Sequence, residues 1–244
     1  MMKLFRICIS LGLIVFLTAC LYPEERKLQN QIPYEDQLSA VQKAVDNYIQ
    51  DHQVLPIMNR DIDTPIYQKY PIDFNKLIPR YMQEPPGNAY ESGGVYQYVL
   101  VNVEENPTVK LIDLRIVEAV RDYQFQINRY KREHKYLPFD KVLNKELFQL
   151  NHEALGYESI PQVKSPITGN NLPFIVNGQG EIFVDYSQDL YQLLQKYGDE
   201  YNFQEGKDDI RQIIVDHSPF VPVFSVPYTV KNGEPEFLAT ENEK

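Results

Sequence analysis

Cysteine is scarce in this sequence, and tryptophan is absent. The chain of 244 residues contains two cysteines, Cys8 and Cys20. Cys8 lies in an N-terminal segment that we interpret as a removable signal peptide, so the mature chain would keep Cys20 alone. One cysteine excludes both a disulfide and a thiolate metal site within a single chain. We therefore expect packing to stabilise the fold, in one large domain or two modest ones.

Positive charge is also scarce. The sequence has 24 Lys and Arg against 34 Asp and Glu, which gives a formal net charge of −10 spread along the chain. Proteins bind nucleic acids largely by neutralising phosphates with Lys and Arg, so this balance argues against a nucleic-acid partner. The acidic surface would also repel anionic lipid and keep the folded body off a bilayer.

Motifs of common active sites are missing too. The sequence contains no Gly-x-Ser-x-Gly elbow, no His-Glu-x-x-His, no phosphate loop and no complete EF-hand loop. We therefore predict no catalytic residue, no metal ligand and no cofactor. The pairs Asp61 and Asp63, and Asp185 and Asp189, are predicted to be carboxylates of solvated loops.

A short apolar run stands near the N-terminus. Lys3 and Arg6 precede the segment from Ile7 to Leu17, which is apolar except for one Ser and one Gly. This order is typical of a signal peptide. The run is shorter than the ~20 residues that a transmembrane helix needs. An ordinary cleavable signal that happens to contain a cysteine is the alternative interpretation.

The apolar run ends in Leu17-Thr18-Ala19-Cys20, which resembles the lipobox of bacterial lipoproteins at all four positions. In that family the cysteine receives a diacylglyceryl group and becomes the first residue of the mature protein. The resemblance implies a signal peptide over 1–19 and a Cys20 that is both S-diacylglycerol cysteine and N-acyl cysteine, as with palmitate. Two acyl chains hold a protein stably on a membrane. The implied location is the cell membrane, at the outer face of the cytoplasmic membrane.

The whole chain is similar in length, lipobox and layout to uncharacterised lipoproteins of Bacillus-type Gram-positive bacteria. This resemblance implies a lipid-anchored extracytoplasmic protein and supplies no activity. Residues 20–34 are polar, contain two prolines and have no apolar periodicity, so we interpret them as the lipidated N-terminus and a tether. The folded body is predicted to begin at residue 35.

Two segments of the predicted folded body have similar sequence patterns. Each begins with a helical stripe of apolar residues, and the stripes end in "YIQDHQVLPI" from Tyr48 and in "YKREHKYLPF" from Tyr130, 82 residues later. Each is followed by a loop rich in Pro, Gly and Asn and then by a β-hairpin pattern. We predict an α+β fold of tandem repeated units, 35–113 and 114–185, each an amphipathic helix, a loop and an antiparallel hairpin.

A partial third unit is predicted over 186–238. It would contain a helix at Ser187 to Tyr197, with Ser187 as its N-cap, and a second helix at Asp208 to His217. A hairpin with an Asn232-Gly233 turn would follow, and residues 239–244 are predicted to be a flexible tail.

Three of the four histidines directly follow an acidic residue, in Asp51-His52, Glu133-His134 and Asp216-His217. A histidine in the last turn of a helix is favoured by the helix dipole and can bond the terminal carbonyls, so we interpret these histidines as capping residues. The alternative is that they transfer protons or bind a metal. If the protein has an active or binding site, His52 and His134 are the candidates.

Tyrosine is abundant, with 18 residues. Several of them cluster at Tyr67, Tyr70, Tyr81, Tyr90, Tyr96 and Tyr98. Tyrosine rings pack while their hydroxyls find polar partners, so such a cluster either lines a binding groove for peptide or glycan or fills the cores and rims of small α+β units. The second interpretation is the one that we expect.

These observations predict a non-enzymatic, lipid-anchored lipoprotein that binds another component of the cell envelope, either a protein or a glycan. One alternative is a solute-binding lipoprotein of a transporter, with the two repeats as lobes around a cleft. A second alternative is an envelope hydrolase that uses His52 or His134 with a distant carboxylate.

Replacement of the lipobox cysteine tests the anchor. We expect Cys20→Ala to move the protein from the membrane fraction to the soluble fraction, or to leave an uncleaved precursor, because the thiol that carries the lipid is gone. Cell fractionation and gel mobility measure this. A variant that fractionates and migrates like the parent would show that the motif is not a lipobox.

Overall fold

Helices and antiparallel strands alternate along residues 34–238, the part of the chain that the computed structural model describes, and the fold class is α+β. The helices are α1 (Tyr34–His52), α2 (Phe74–Leu77), α3 (Leu114–His134), α4 (Ser187–Tyr197) and α5 (Gln212–His217). Within residues 34–238, none of them is both long and apolar enough to cross a bilayer. The lipobox, the tether up to residue 33 and the tail 239–244 lie outside the described residues.

The strands form three antiparallel arrangements. They are β1 (Tyr96–Val101), β2 (Thr108–Asp113), β3 (Phe139–Val142), β4 (Leu147–Leu150), β5 (Gln162–Lys164), β6 (Asn171–Asn177), β7 (Ile182–Val184), β8 (Tyr228–Lys231) and β9 (Glu234–Phe237). β1 pairs with β2, and β8 pairs with β9. The other five strands form one sheet in the order β3-β4-β6-β5, with β7 also paired to β6. β6 is therefore the central strand of the larger sheet.

The predicted helical stripes are buried. In α1, Val41, Ala44 and Val45 are at most 1% exposed, and they pack with β1 and β2 in one hydrophobic cluster. In α3, Ile116 and Ile127 are buried in a second cluster with the larger sheet. The periodicity of the sequence thus correctly predicted which faces of these helices meet the core.

The start of α3 depends on an aspartate at the end of β2. Asp113 is 2% exposed, and its Oδ1 accepts a hydrogen bond from the backbone N–H of Arg115 (3.0 Å). The guanidinium of the same Arg115 contacts both carboxylate oxygens, with Nε 2.8 Å from Oδ1 and Nη2 2.5 Å from Oδ2. The side chain therefore caps the helix while the arginine compensates its charge.

The helix predicted at Ser187 to Tyr197 is confirmed with those bounds. Ser187 is its first residue and not its N-cap, which is Tyr186. The backbone N–H of Ser187 donates to Oδ1 of Asp185 (2.9 Å). The prediction that Asp185 lies in a solvated loop is wrong, since this carboxylate also accepts a hydrogen bond from the hydroxyl of Tyr228 (2.9 Å). Asp61 and Asp63 are exposed, as predicted.

Asp189 was also predicted to be solvated, and this is wrong. It is fully buried, and its carboxylate accepts hydrogen bonds from the hydroxyls of Ser165 (2.5 Å) and Thr168 and from the amide of Asn170 (3.4 Å). Burial raises the pKa of Asp189, while these three donors oppose that rise. The contacts fasten the loop between β5 and β6 onto α4.

The C-terminal elements partly match the predicted ones. The hairpin β8–β9 is confirmed, and Asn232 and Gly233 have φ angles of 52° and 79°, which suits a two-residue primed turn. The helix expected from Asp208 begins only at Gln212. The side chain of Asp209 explains this later start, because it accepts hydrogen bonds from the backbone N–H of Arg211 (3.1 Å) and from its guanidinium.

The helix and hairpin order recurs along the chain. His52, His134 and His217 are the last residues of α1, α3 and α5, and an antiparallel hairpin follows each of these helices. The segments in between differ, because the antiparallel pair β3–β4 and the strand β5 stand between α3 and the hairpin β6–β7, whereas α2 stands between α1 and β1. Tandem repetition, and the unit boundaries drawn from it, therefore stay predictions.

Residues 218–228, which we call the connecting segment, join the two larger parts of the fold. Leu111 of β2 donates to the carbonyl of Pro219 (2.9 Å) and accepts from the N–H of Val221 (3.1 Å), while Val184 of β7 donates to the carbonyl of Phe224 (2.8 Å). The connecting segment thus pairs with the first hairpin and with the larger sheet.

Side chains strengthen this junction. Val221 and Val223 are at most 1% exposed, and Tyr186 and Tyr228 are fully buried. The hydroxyl of Tyr228 accepts from the N–H of Tyr186 (3.0 Å) and donates to Asp185. The hydroxyl of Tyr186 donates to the carbonyl of Val223 (3.1 Å). Buried hydroxyls with partners on both sides fix the position of the connecting segment.

Removal of one hydroxyl tests this junction. We expect Tyr228→Phe to lower the free energy of unfolding by about 1–3 kcal/mol, because Asp185 and the N–H of Tyr186 both lose a partner. Urea denaturation measures it, with Tyr191→Phe as the control, since Tyr191 is 45% exposed. Equal urea midpoints for the two variants would contradict the role of this hydroxyl.

Candidate functional site

His52 packs against aromatic rings near the end of α1. Its ring centroid lies 4.4 Å from that of Tyr48 and 6.1 Å from that of Tyr81. The preceding Asp51 accepts hydrogen bonds from the hydroxyl of Tyr81 (2.9 Å) and from Arg80 (2.7 Å). His52 and its neighbouring acid are therefore both engaged in local packing.

His134 has a similar environment at the end of α3. Its ring lies 4.1 Å from the ring of Tyr130 and 6.1 Å from that of Tyr136, and these two tyrosine hydroxyls are 3.2 Å apart. Its Nε2 lies 3.9 Å from a carboxylate oxygen of Glu133, and its side chain is 47% exposed.

The two predicted candidates belong to separate clusters that share no residue. Within residues 34–238, neither ring donates to a terminal carbonyl, so the predicted capping bonds are wrong in this detail. At the end of α1 the amide of Gln53 makes such bonds instead, to the carbonyls of Ile49 (3.4 Å) and Gln50 (3.1 Å). Both histidines do lie in the last turn of a helix, as predicted.

His217, which was not predicted as a site residue, has the most enclosed environment of the three. Its side chain is 19% exposed, and its ring stacks on Tyr197 with centroids 3.7 Å apart and planes at 5°. The Nε2 atom lies 3.0 Å from the hydroxyl of Tyr201, which donates to Asp216 (2.8 Å). Glu200 lies 3.6 Å from the same Nε2.

The positions of the protons decide which groups in this cluster donate and which accept hydrogen bonds. Burial, and secondly the hydrogen bond to Asp216, raises the pKa of Tyr201, so its hydroxyl stays protonated. Because the single phenolic proton points to Asp216, the Nε2 of His217 must donate to the phenolic oxygen. The cluster links the end of α5 to the turn after α4. Among residues 34–238, no group of three or more His, Cys, Asp or Glu is arranged to hold a metal ion.

Alanine substitutions compare the contribution of the enclosed His217 to stability with that of the half-exposed His134. We expect His217→Ala to lower the free energy of unfolding by about 1–3 kcal/mol, because the phenolic oxygen of Tyr201 loses its donor and the stack on Tyr197 is lost. We expect His134→Ala to change it by less than about 0.5 kcal/mol, since that side chain is half exposed. Thermal unfolding of both variants measures the difference, and equal losses would contradict the assignment.

A cleft with aromatic walls lies elsewhere, beside α3. One wall is α3 from Ala119 to Tyr123, the other is the loop 157–162, and Asn171 and Phe174 of β6 complete it. Its volume is about 520 Å³, within the range of roughly 300–1,000 Å³ that small-molecule sites occupy. We call it the aromatic cleft.

Three rings line the aromatic cleft. Tyr123 and Phe174 are stacked with centroids 5.0 Å apart and planes at 21°, and the ring of Tyr157 lies 5.8 Å from that of Tyr123. Tyr123 is only 4% exposed, but its hydroxyl is not among the buried side-chain atoms that lack a hydrogen-bond partner, so this oxygen reaches solvent. Among residues 34–238, the buried side-chain oxygen without a partner is Oε1 of Gln126.

Negative charge surrounds these rings. Asp122 and Glu158 line the aromatic cleft and are exposed, and its lining contains no Lys, Arg or His. Burial, followed by the charge of Asp122, raises the pKa of Tyr157. Burial, followed by Tyr157, raises the pKa of Tyr123. Both tyrosines are therefore neutral at physiological pH and can donate a hydrogen bond.

Three further clefts are lined by other parts of the chain. One of about 600 Å³ is formed by Ile66, Tyr70, residues 101–105 and Gln212, and another of about 430 Å³ lies within residues 59–97. The last, of about 360 Å³, lies between α4 and β9. None of these four clefts is lined by His52 or His134, and none combines residues of 35–113 with residues of 114–185.

The predicted tyrosine cluster does not form one groove. Tyr98 is buried, with its hydroxyl donating to Asn88 (2.7 Å), whereas Tyr90 is 64% exposed. Tyr67 packs under the guanidinium of Arg211, at 5.2 Å from its ring centroid. The tyrosines that line the aromatic cleft, Tyr123 and Tyr157, come from a different region of the sequence.

Comparison with known families finds one match. Residues 34–113 match the YphF family N-terminal domain. The match begins at the first residue of α1, ends at Asp113 directly before α3, and covers less than half of the chain. It fits the predicted resemblance to uncharacterised proteins of Bacillus-type bacteria, and the lipobox lies outside it.

The aromatic cleft also lies outside the residues matched by this family. No curated protein matches the chain, and no solved structure matches it. The physical arrangement of the side chains is therefore what carries a functional proposal.

Proposed function

We propose that this protein is a non-enzymatic lipoprotein, anchored by Cys20 at the outer face of the cytoplasmic membrane, that binds another envelope component in the aromatic cleft. The observation that carries the proposal is the aromatic cleft itself, in which the half-buried ring of Tyr157 and several polar side chains line a volume of about 520 Å³. Concave sites that combine apolar walls with a few polar groups are the usual binding sites of proteins.

The hydrolase alternative has less support. It requires His52 or His134 to meet a carboxylate in a cleft, whereas each ring packs on a tyrosine one helical turn away. The third cluster already uses the Nε2 of His217 to bond Tyr201. A histidine engaged in this way is poorly placed to take a proton from a substrate.

The solute-binding alternative also has less support, because it predicts a cleft between residues 35–113 and 114–185. The aromatic cleft is lined entirely by residues 119–174. The connecting segment pairs with both β2 and β7, which opposes the opening and closing of two lobes.

We further propose that the helix and hairpin units arose as tandem repeats. The recurring order of helix, terminal histidine and hairpin supports this, as does the tyrosine beside each of His52, His134 and His217. In this view the larger middle unit acquired β3, β4 and β5, and with them the loop that forms one wall of the aromatic cleft.

Site-directed photocrosslinking in intact cells tests the binding proposal. We expect benzoylphenylalanine in place of Ser159, an exposed residue at the rim of the aromatic cleft, to give an adduct with an envelope component. The same probe in place of Ile62, which is 82% exposed and outside the cleft, is the matched control. The adduct should weaken when Tyr123→Phe is added. Equal adducts from both positions, insensitive to Tyr123→Phe, would contradict a role for the cleft.

A further inference from the structure

We infer that two copies of this chain associate through β3, edge to edge, as an antiparallel dimer. This inference goes beyond the proposed function and does not depend on the aromatic cleft. Three properties of β3 carry it: its position at the edge of the sheet, the apolar side chains exposed on and beside it, and a sequence that is complementary to its own copy.

β3 is the last strand at one end of the larger sheet. It pairs with β4 on one side, and within residues 34–238 no other strand pairs with its outer side. All four of its residues are exposed. An edge strand can accept a further strand through its main-chain groups, so this end of the sheet is open to extension.

Exposed apolar side chains are concentrated around this edge. Phe139 is 47% exposed and Val142 is 73% exposed, and the nearby Tyr136 and Leu143 are exposed as well. Single exposed apolar residues are normal on a soluble protein, whereas several together are typical of an interaction surface. Removal of these side chains from water would drive the association.

A β-bulge places the two apolar side chains of β3 on one face. Phe139 pairs with Leu150, and Val142 pairs with Phe148, with a register shift between Phe139 and Lys141. Residues three apart in a regular strand point to opposite faces, but the extra residue of the bulge brings Phe139 and Val142 to the same face. The ring centroid of Phe139 accordingly lies 4.7 Å from that of Phe148.

The sequence of β3 is complementary to itself. It reads Phe139-Asp140-Lys141-Val142. When two copies pair antiparallel about a two-fold axis between residues 140 and 141, each Phe139 lies opposite Val142 of the second copy and each Asp140 lies opposite its Lys141. Such apolar and opposite-charge pairs stabilise neighbouring strands. A shift by one residue would place Asp140 or Lys141 opposite itself, where like charges repel.

The charges of β3 favour a second copy over an unrelated strand. No ion pair within residues 34–238 includes Asp140 or Lys141, so both can pair across the contact. Charges and bulges on an edge strand normally prevent pairing with other strands. A second β3 matches both charges and repeats the bulge, so the features that exclude other strands select this one.

The net negative charge of the chain opposes association but does not decide it. The formal net charge is −10, so any two copies repel each other at long range. At physiological ionic strength, exposed charges more than about 8 Å apart are largely screened. The contacts at the strand edge lie within that distance and therefore outweigh the general repulsion.

Sedimentation equilibrium of the full chain, in detergent and reducing buffer, tests the inference. We expect a reversible monomer–dimer equilibrium. Asp140→Lys puts lysine opposite lysine and should weaken the dimer about tenfold, as should Lys141→Asp, which puts aspartate opposite aspartate. The double variant restores opposite charges and should recover the affinity of the parent. Asp61→Lys makes the same change of net charge at an exposed residue outside β3, and it should have no effect.

A mixture of the two single variants tests the register. In a heterodimer of Asp140→Lys with Lys141→Asp every lysine faces an aspartate, so the mixture should associate more tightly than either variant alone. A monomeric parent would overturn the inference. Equal association of the parent and both single variants would also overturn it, because the charges of β3 would then only shield the edge. Weakened single variants without recovery in the double variant or the mixture would overturn the antiparallel pairing.

Discussion

One extended segment, residues 218–228, is bonded to both larger parts of the described fold. Its backbone bonds Leu111 on one side and Val184 on the other, so it ties together two sheets that share no paired strands. Residues of both sheets, including Val99 and Phe174, also lie in one hydrophobic cluster. The valines at 221 and 223 are buried, which means that apolar burial and backbone pairing act on the same residues. These hydrogen bonds join main-chain atoms, so most side-chain substitutions would leave their donors and acceptors in place.

The geometry of the aromatic cleft follows from this junction. β2, held at Leu111, continues directly into α3 through the capping carboxylate of Asp113. The buried face of α3, including Ile116 and Ile127, packs in the same cluster as β6. Both ends of the α3 wall are thus tied to the core, while the facing loop 157–162 leads directly into β5, which pairs with β6. A cleft between such elements is formed before any ligand arrives, and this lowers the cost of binding.

Local patterns in the sequence were sufficient for some of these elements. The buried stripes of α1 and α3, the bounds of α4 and the Asn232-Gly233 turn all follow from residues within a few positions of each other. Asp189 could not be predicted, because its donors Ser165 and Thr168 lie more than 20 residues away in the sequence. Burial of a carboxylate depends on such distant partners.

The connecting segment and the aromatic cleft were missed for the same reason. The connecting segment contains Pro219, Pro222 and Pro227, and this spacing gives no strand periodicity, so its pairing with two sheets has no local signal. Tyr123 lies on the buried stripe of α3, but its place in the cleft depends on Tyr157 in a loop 34 residues later. Contacts of this kind are set by the tertiary fold.

Hydrogen–deuterium exchange of the full chain, with and without isolated cell-wall glycan, tests most directly whether a preformed cleft on a rigid body is the binding site. We expect exchange to slow only at residues 157–162 and at the start of α3 when the glycan is present. The amides of Leu111 and Val184 should exchange equally slowly in both states. Unchanged exchange at 157–162, with new protection elsewhere such as along β3, would contradict it.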